Sequence, residues 1–215
     1  MKLSKEIDLL LNYCRTSFAA KNLLSLISLP FSLSLPLFLT EYLIIMAFQE
    51  SFHSIKTLLD DFKSNEKHYL NPNYSEADVR NDFINKFFIV LGWDVRHETQ
   101  KNPYEQEVRV EKPLQIAKAQ KRADYSFSLA PNYRTVKFFV EAKKPAHDLS
   151  SKDYYFQTAR YGWNAHTPIA VLTDFEELHI VDCRFKPNID DAVTYKIKQF
   201  HYSDYADKDK FAEIY

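Results

Sequence analysis

The stretch 121-KRADYSFSLAPNYRTVKFFVEAKKP-145 decides how the rest of the chain is read. Tyr125, Phe127 and Leu129 alternate with Ser126 and Ser128, the period of two that sends alternate side chains to one face of a strand. Pro131 and Asn132 supply turn chemistry, and Thr135 to Val140 is a β-branched and aromatic run suited to a buried strand. The stretch therefore predicts an antiparallel hairpin. At the end of its second strand Glu141 and Lys143 project to one face while Ala142 turns away. Pairing brings Asp124, near the start of the first strand, level with that end. Two carboxylates and an ammonium are expected to converge there, with Asp124 unpaired until a cation reaches it.

Such a group suits a divalent metal. Mg²⁺ prefers oxygen, keeps several waters and takes only one or two carboxylates, completing its shell with substrate phosphate. Held by Asp124 and Glu141, Mg²⁺ (or Mn²⁺ in its place) would polarise a phosphoryl oxygen and lower the pKa of a water. Lys143 would orient that water and offset developing charge. A surface hairpin with a solvated EAKK end is the plainer account of the same residues.

Asp124 followed by Glu141-Ala142-Lys143 at a strand end resembles the PD-(D/E)xK nuclease motif. More narrowly, the region from about Tyr74 to Tyr205 resembles the amino-terminal nuclease region of type IIG restriction enzymes and the nuclease domain of type I restriction R subunits. The match is carried by SEADVRNDFINKFFIVLGWDV at 75–95, KRADYSF at 121–127, FFVEAKKP at 138–145, QTARYGWN at 157–164 and VLTDFEELHIVDCR at 171–184. Ala123 stands where the family pattern prefers proline, a position that ligates nothing.

The resemblance implies an α/β, restriction-endonuclease-like fold, a mixed central sheet flanked by helices. It implies Mg²⁺-dependent cleavage of double-stranded DNA in a restriction-modification system, and the low cysteine count fits a reduced, cytoplasmic protein. It also implies that Glu76, in the first turn of a helix, reaches the metal site as a catalytic acid alongside Asp124, Glu141 and Lys143. From the residues alone, Glu76 equally complements the helix dipole. Gln157 and Tyr161, four apart on one helix face, resemble a QxxxY motif that contacts DNA beside the active site. By itself that spacing is a weak signal. Lys121, Arg122 and Lys144 are further candidate DNA contacts. A type IIG enzyme continues into a methyltransferase and a type I R subunit into a helicase. The chain therefore reads as a truncated or split type IIG enzyme, with a separate methyltransferase or specificity polypeptide as a possible partner. The alternative is an inert remnant or a DNA-binding accessory domain.

Composition narrows the field. In 215 residues with 46% hydrophobic content there is material for one good core. Two glycines leave no Gly-rich phosphate loop, and neither a P-loop nor HExxH is present. A net charge of −1 gives no global signature of nucleic-acid binding, so affinity must come from local patches. Lys118, Lys121, Arg122, Arg134, Lys137, Lys143 and Lys144 form one around the hairpin. Two cysteines cannot make a disulfide framework and lack zinc-site spacing.

Residues 1–45 differ from the rest. Asn22 to Thr40 has no charged residue, and its length makes it a transmembrane or signal candidate. Pro30, Pro36, its serines and Glu41 argue against a span. So does the surrounding charge, which would place the hairpin outside the cell and away from DNA. Residues 1–45 are read as an apolar extension from an over-extended start, with Met46 opening the native region. Residues 46–73 are then an amino-terminal helix and 74–215 the nuclease domain.

The remaining pattern is periodic. Phe52, Ile55, Leu58, Leu59 and Phe62 predict a helix from Phe48 to about Tyr69. Ser75 and Asp78 read as a capping box opening a second helix, with Val79, Phe83, Phe87 and Leu91 as its stripe and Gly92 ending it. Trp93 to Val95 reads as a short strand, and His97 to Lys118 resists assignment. A helix over Ser151 to Asn164 and strands at Ile169–Leu172 and Leu178–Val181 follow. Strand, helix, strand across 136–172 predicts a parallel crossover. Tyr195 to Tyr202 reads as a last strand before a charged helix.

Overall fold

The computed structural model describes residues 37–116 and 119–215, and the side chains of 42–111 and 122–215. Among the described residues six strands make one sheet: β1 (Val108–Ile116), β2 (Ala119–Leu129), β3 (Asn132–Ala142), β4 (Ile169–Thr173), β5 (Glu177–Asp182) and β6 (Lys196–His201). They lie side by side in sequence order, with β3 and β4 parallel and every other neighbouring pair antiparallel. The fold is α/β, a mixed sheet flanked by helices.

The hairpin forms as its alternation dictates. Tyr125 pairs with Val140 and Phe127 with Phe138, and the rings of Phe127 and Phe138 stack at 4.5 Å. The helix α1 (Leu37–Ser64) buries Ile55, Leu58, Leu59 and Phe62 and runs unbroken through Met46. The short α2 (Glu66–Tyr69) follows it. Among the described residues no helix is long and apolar enough to cross a membrane.

Next comes one continuous helix in three parts: α3 (Glu76–Val79), a π turn (Arg80–Ile84) and α4 (Asn85–Val90). The capping box opens it, with the Ser75 hydroxyl accepting from the Asp78 amide and the Asp78 carboxylate accepting from the Ser75 amide. The π turn rotates the apolar stripe so that Phe83, Ile84, Phe87 and Phe88 are all buried. Gly92, at φ 89°, ends the segment in a conformation that only glycine adopts freely.

One expectation fails just beyond it. Trp93 to Val95 forms no strand. The Asp94 carboxylate accepts the amides of Glu98, Thr99 and Gln100, which bends the chain into a turn. Trp93 is left as a plug, its ring 4.9 Å from Phe127. The unassigned segment contains β1, seeded by Val108 and Val110, which pair with Phe127 and Tyr125.

The crossover helix α5 (Lys152–Ala165) joins β3 to β4. It covers the sheet face that carries Phe139, Ala170 and Leu172, while α1, the α3–α4 helix and the terminal α6 (Lys208–Ile214) cover the face of Tyr125, Phe127 and Val140. Burial of each large ring is worth about 1.5–3 kcal/mol, so this aromatic layer dominates the core. Gly162 lets α5 approach the sheet, because a Cβ there would collide with the Cys183 side chain.

Candidate active site

The site lies where β3 ends, between the opening of α3 and the first turns of α5. Register brings Asp124 there. One step beyond the Tyr125–Val140 pair it stands across from Glu141, and its Oδ2 accepts the Ala142 amide at 2.8 Å. Lys143, two residues on, donates from Nζ to Glu141 Oε1 at 2.6 Å. The Lys143 amide donates to the Thr173 carbonyl at 2.9 Å, so the neighbouring parallel strand fixes the backbone under both side chains.

Glu141 is 3% exposed and Lys143 9%. Burial pushes the Glu141 carboxyl up to about 7, Lys143 pulling it down and Asp124 adding to the rise. For Lys143, burial disfavours the ammonium, but the carboxylates around it, Glu141 foremost, outweigh that and hold its pKa above the ordinary value. The pair therefore keeps its positive member firmly charged. Glu141 Oε2 is buried without a hydrogen-bond partner. An oxygen in that state costs free energy unless something takes it up.

The α5 face adds a brace. The Gln157 side-chain amide donates to Glu141 Oε1 and to the Tyr161 hydroxyl, the latter at 3.1 Å. Tyr161 is buried and its hydroxyl donates to the Arg122 carbonyl at 2.9 Å, tying α5 to β2 beside Asp124. Both residues thus face the protein, with Gln157 half-buried and Tyr161 committed to main chain. Lys143 Nζ also lies 5.1 Å from the Tyr154 ring centre, and the Tyr154 hydroxyl is 2.8 Å from His147 Nδ1.

Glu76 arrives from the capped end of α3. It is half-buried, and burial raises its pKa, Asp124 raises it further, and Lys143, Arg80 and His147 lower it. The four acid and base residues picked out from the sequence are therefore electrostatically coupled in one place.

Asp124 is not unpaired, contrary to expectation. Arg80, on the π turn, donates from Nη1 to Asp124 Oδ1 at 2.9 Å and from Nη2 to Glu111 Oε1 at 3.3 Å. Sequence reading missed Arg80, although it stands one helical turn after Glu76 and therefore near the same face. Tyr154 and His147 were missed as well, and nothing in their local pattern marks them.

The basic patch divides. Arg122 is exposed near the site, 3.6 Å from Glu111, and Lys144 reaches the Pro72 carbonyl at 3.4 Å. Arg134 sits towards the turn of the hairpin and Lys137 at the middle of β3, both away from its Glu141 end. The side chains of Lys118 and Lys121 lie outside the described residues.

Among the described residues no three His, Cys, Asp or Glu side chains gather tightly enough to hold a metal by themselves. The donor set on offer is two carboxylates across a strand pair. That suits an ion that draws most of its shell from water and phosphate, and the buried, unpartnered Glu141 oxygen fits a cation.

Over 164 residues the chain is 37% identical to the type II restriction enzyme and methyltransferase RM.Eco57I of Escherichia coli. The match covers 74% of this chain but only 16% of that protein, so the chain spans about one sixth of its relative's length. No family model matches, and no solved structure matches.

Proposed function

We propose that this chain is a Mg²⁺-dependent DNA endonuclease domain of a restriction-modification system, with a PD-(D/E)xK site on a restriction-endonuclease-like fold. The observation that carries the reading is Glu141: a buried carboxylate with one oxygen on Lys143 and the other unpartnered, across the strand pair from Asp124. The similarity to RM.Eco57I supports a nuclease role, and the parallel β3–β4 step beside the site supports the fold. Double-stranded DNA is the partner this reading requires, a methyltransferase polypeptide is a second, and the cytoplasm is where both would be met.

Asp124 and Glu141 would hold the ion. When bound, it supplies Lewis acidity towards a phosphoryl oxygen and a water of lowered pKa. Lys143 holds a fixed positive charge where negative charge develops on the phosphate, in a site from which most water is excluded. Gln157 keeps Glu141 turned towards the ion, and Tyr161 keeps Gln157 in place. Glu76 supplies a half-buried carboxylate at the rim, suited to accepting a proton or a water. Lys121, Arg122 and Lys144 would contact phosphates, which position DNA without reading its bases.

The test is nicking of supercoiled plasmid at low salt with Mg²⁺ or Mn²⁺, where weak, sequence-independent activity is expected because so little net charge offers little electrostatic affinity. Asp124→Ala should abolish it. Activity that survives this change would be contamination, and no activity with either metal would favour the inert DNA-binding reading.

A further inference from the structure

Arg80 sits where a metal ligand would need to be free, and the strand opposite it is distorted to meet it. Its guanidinium forks between Asp124 at 2.9 Å and Glu111 at 3.3 Å. Arg80 and Asp124 are both largely buried, whereas the Glu111 side chain is half-exposed and also lies near Arg122. Glu111 has φ 52°, a conformation rare for a residue with a Cβ, in the middle of a strand. The ladder skips it: Val110 pairs with Tyr125 and Lys112 with Ala123, leaving Glu111 unpaired opposite Asp124. Such backbone outliers persist where the surroundings hold them and cluster at working sites. Here the distortion delivers a second carboxylate to the same guanidinium.

We infer that Arg80 is a positioning residue that shields Asp124 until a divalent ion arrives and then withdraws onto Glu111. This rests on the metal-site reading above. The guanidinium and the ion compete for Asp124 Oδ1, while the Ala142 amide keeps the carboxylate oriented through Oδ2 whichever cation is present. Glu111 makes the exchange possible, since without it the displaced Arg80 would be left partly buried with no carboxylate. The fork geometry matters: arginine can hold two acceptors at once, and a lysine ammonium is a point charge without that planar fork.

The experiment is Mn²⁺ calorimetry on the full chain without DNA. Removing the competitor in Arg80→Gln should tighten binding roughly tenfold, the lower end of what a charge-assisted hydrogen bond is worth. Glu111→Gln should weaken binding about threefold, the scale of a half-exposed ion pair. In the Arg80→Gln background, Glu111→Gln should have no effect. An equal effect of Glu111→Gln in both backgrounds would show ordinary through-space attraction and overturn the proposal, as would unchanged or weaker affinity in Arg80→Gln. Should Arg80→Gln fail to fold by circular dichroism, Arg80→Lys keeps the charge without the fork and should likewise lose its coupling to Glu111. Asp124→Asn separates the two levels: if it leaves wild-type affinity unchanged, or the wild type binds no Mn²⁺, the metal site itself is wrong and this proposal falls with it. Loss of binding in Asp124→Asn, together with additive Arg80 and Glu111 effects, rejects the exchange alone.

Discussion

β3 and β4 run parallel side by side and both end in a buried acid, yet the two ends differ in kind. At the end of β4, Asp174 is 2% exposed and burial holds its pKa well above the ordinary carboxylate range. Its Oδ1 accepts the Glu177 amide at 2.8 Å, closing the turn into β5. The Thr173 hydroxyl donates to the Glu177 carbonyl and accepts the Phe175 amide, and Phe175 plugs the aromatic core. At the end of β3, Glu141 is buried to a similar degree and also shifted upwards. Its Oε1 is held by Lys143, two residues on, and by Gln157 of α5, and its Oε2 has no hydrogen-bond partner. Burial and a raised pKa are common to both ends, so neither identifies a site. What distinguishes Glu141 is unmet coordination beside a fixed charge.

The largest expected difference is in rate. Lys143→Ala should slow plasmid nicking by about 10²–10³, the usual loss when one preorganised charge-stabilising group is removed. It should leave the chain folded, because Glu141, with a pKa of about 7, can take up a proton when its partner goes. Asp174→Asn should leave the rate within a small factor. A comparable loss from both changes would erase the distinction.

Metal should sharpen it further. Mn²⁺ at a hundred times its dissociation constant stabilises a folded protein by about 2.7 kcal/mol. In a domain of this size that is a rise of about 5–10 °C in Tm. Differential scanning should show the rise in wild type and in Asp174→Asn, but not in Glu141→Gln.

The smallest effect is on stability against pH without metal. Both acids have folded-state pKa values raised above the unfolded ones, so the folded chain binds more protons and stability falls as pH rises. For Glu141 the fall runs from the ordinary value of 4.5 to about 7 and levels off above it. For Asp174 it starts near 3.8 and extends well above that. Glu141→Gln should remove the first decline and Asp174→Asn part of the second, each worth about 2–4 °C in Tm at neutral pH per kcal/mol recovered. A thermal-denaturation series from pH 4 to 8 that shows no change of slope in either variant would contradict the burial argument.

Much of this was legible in the sequence because the signals were local. Alternation at Tyr125, Phe127 and Leu129 gave the strand and its register, and register alone placed Asp124 across from Glu141. The i,i+2 spacing put Glu141 and Lys143 on one face, where they form an ion pair, and the i,i+4 spacing put Gln157 and Tyr161 on one helix face, where they share a hydrogen bond. What stayed hidden was the product of longer range. Arg80 meets Asp124 across 44 positions. The Asp94 turn depends on three amides converging on one carboxylate, which overrides the strand-forming tendency of Trp93 and Val95. β1 was obscured because the alternation begun by Val108 and Val110 stops at Lys112, next to the left-handed backbone of Glu111. The basic patch looked continuous in sequence because antiparallel pairing, which separates Arg134 and Lys137 from the site, is not visible in a linear run of charge.

The sheet keeps sequence order, so among the described residues β1 and β6 are its two outer strands. Outer strands present unpaired amides and carbonyls that can recruit a second molecule edge to edge. β1 carries Pro113, which has no N–H to offer, and a backbone kink at Glu111 that interrupts any straight template. β6 carries Lys196 and Lys198, whose charges repel a like edge. The same kink that brings Glu111 to Arg80 thus also guards one margin of the sheet against self-association in an aromatic-rich chain.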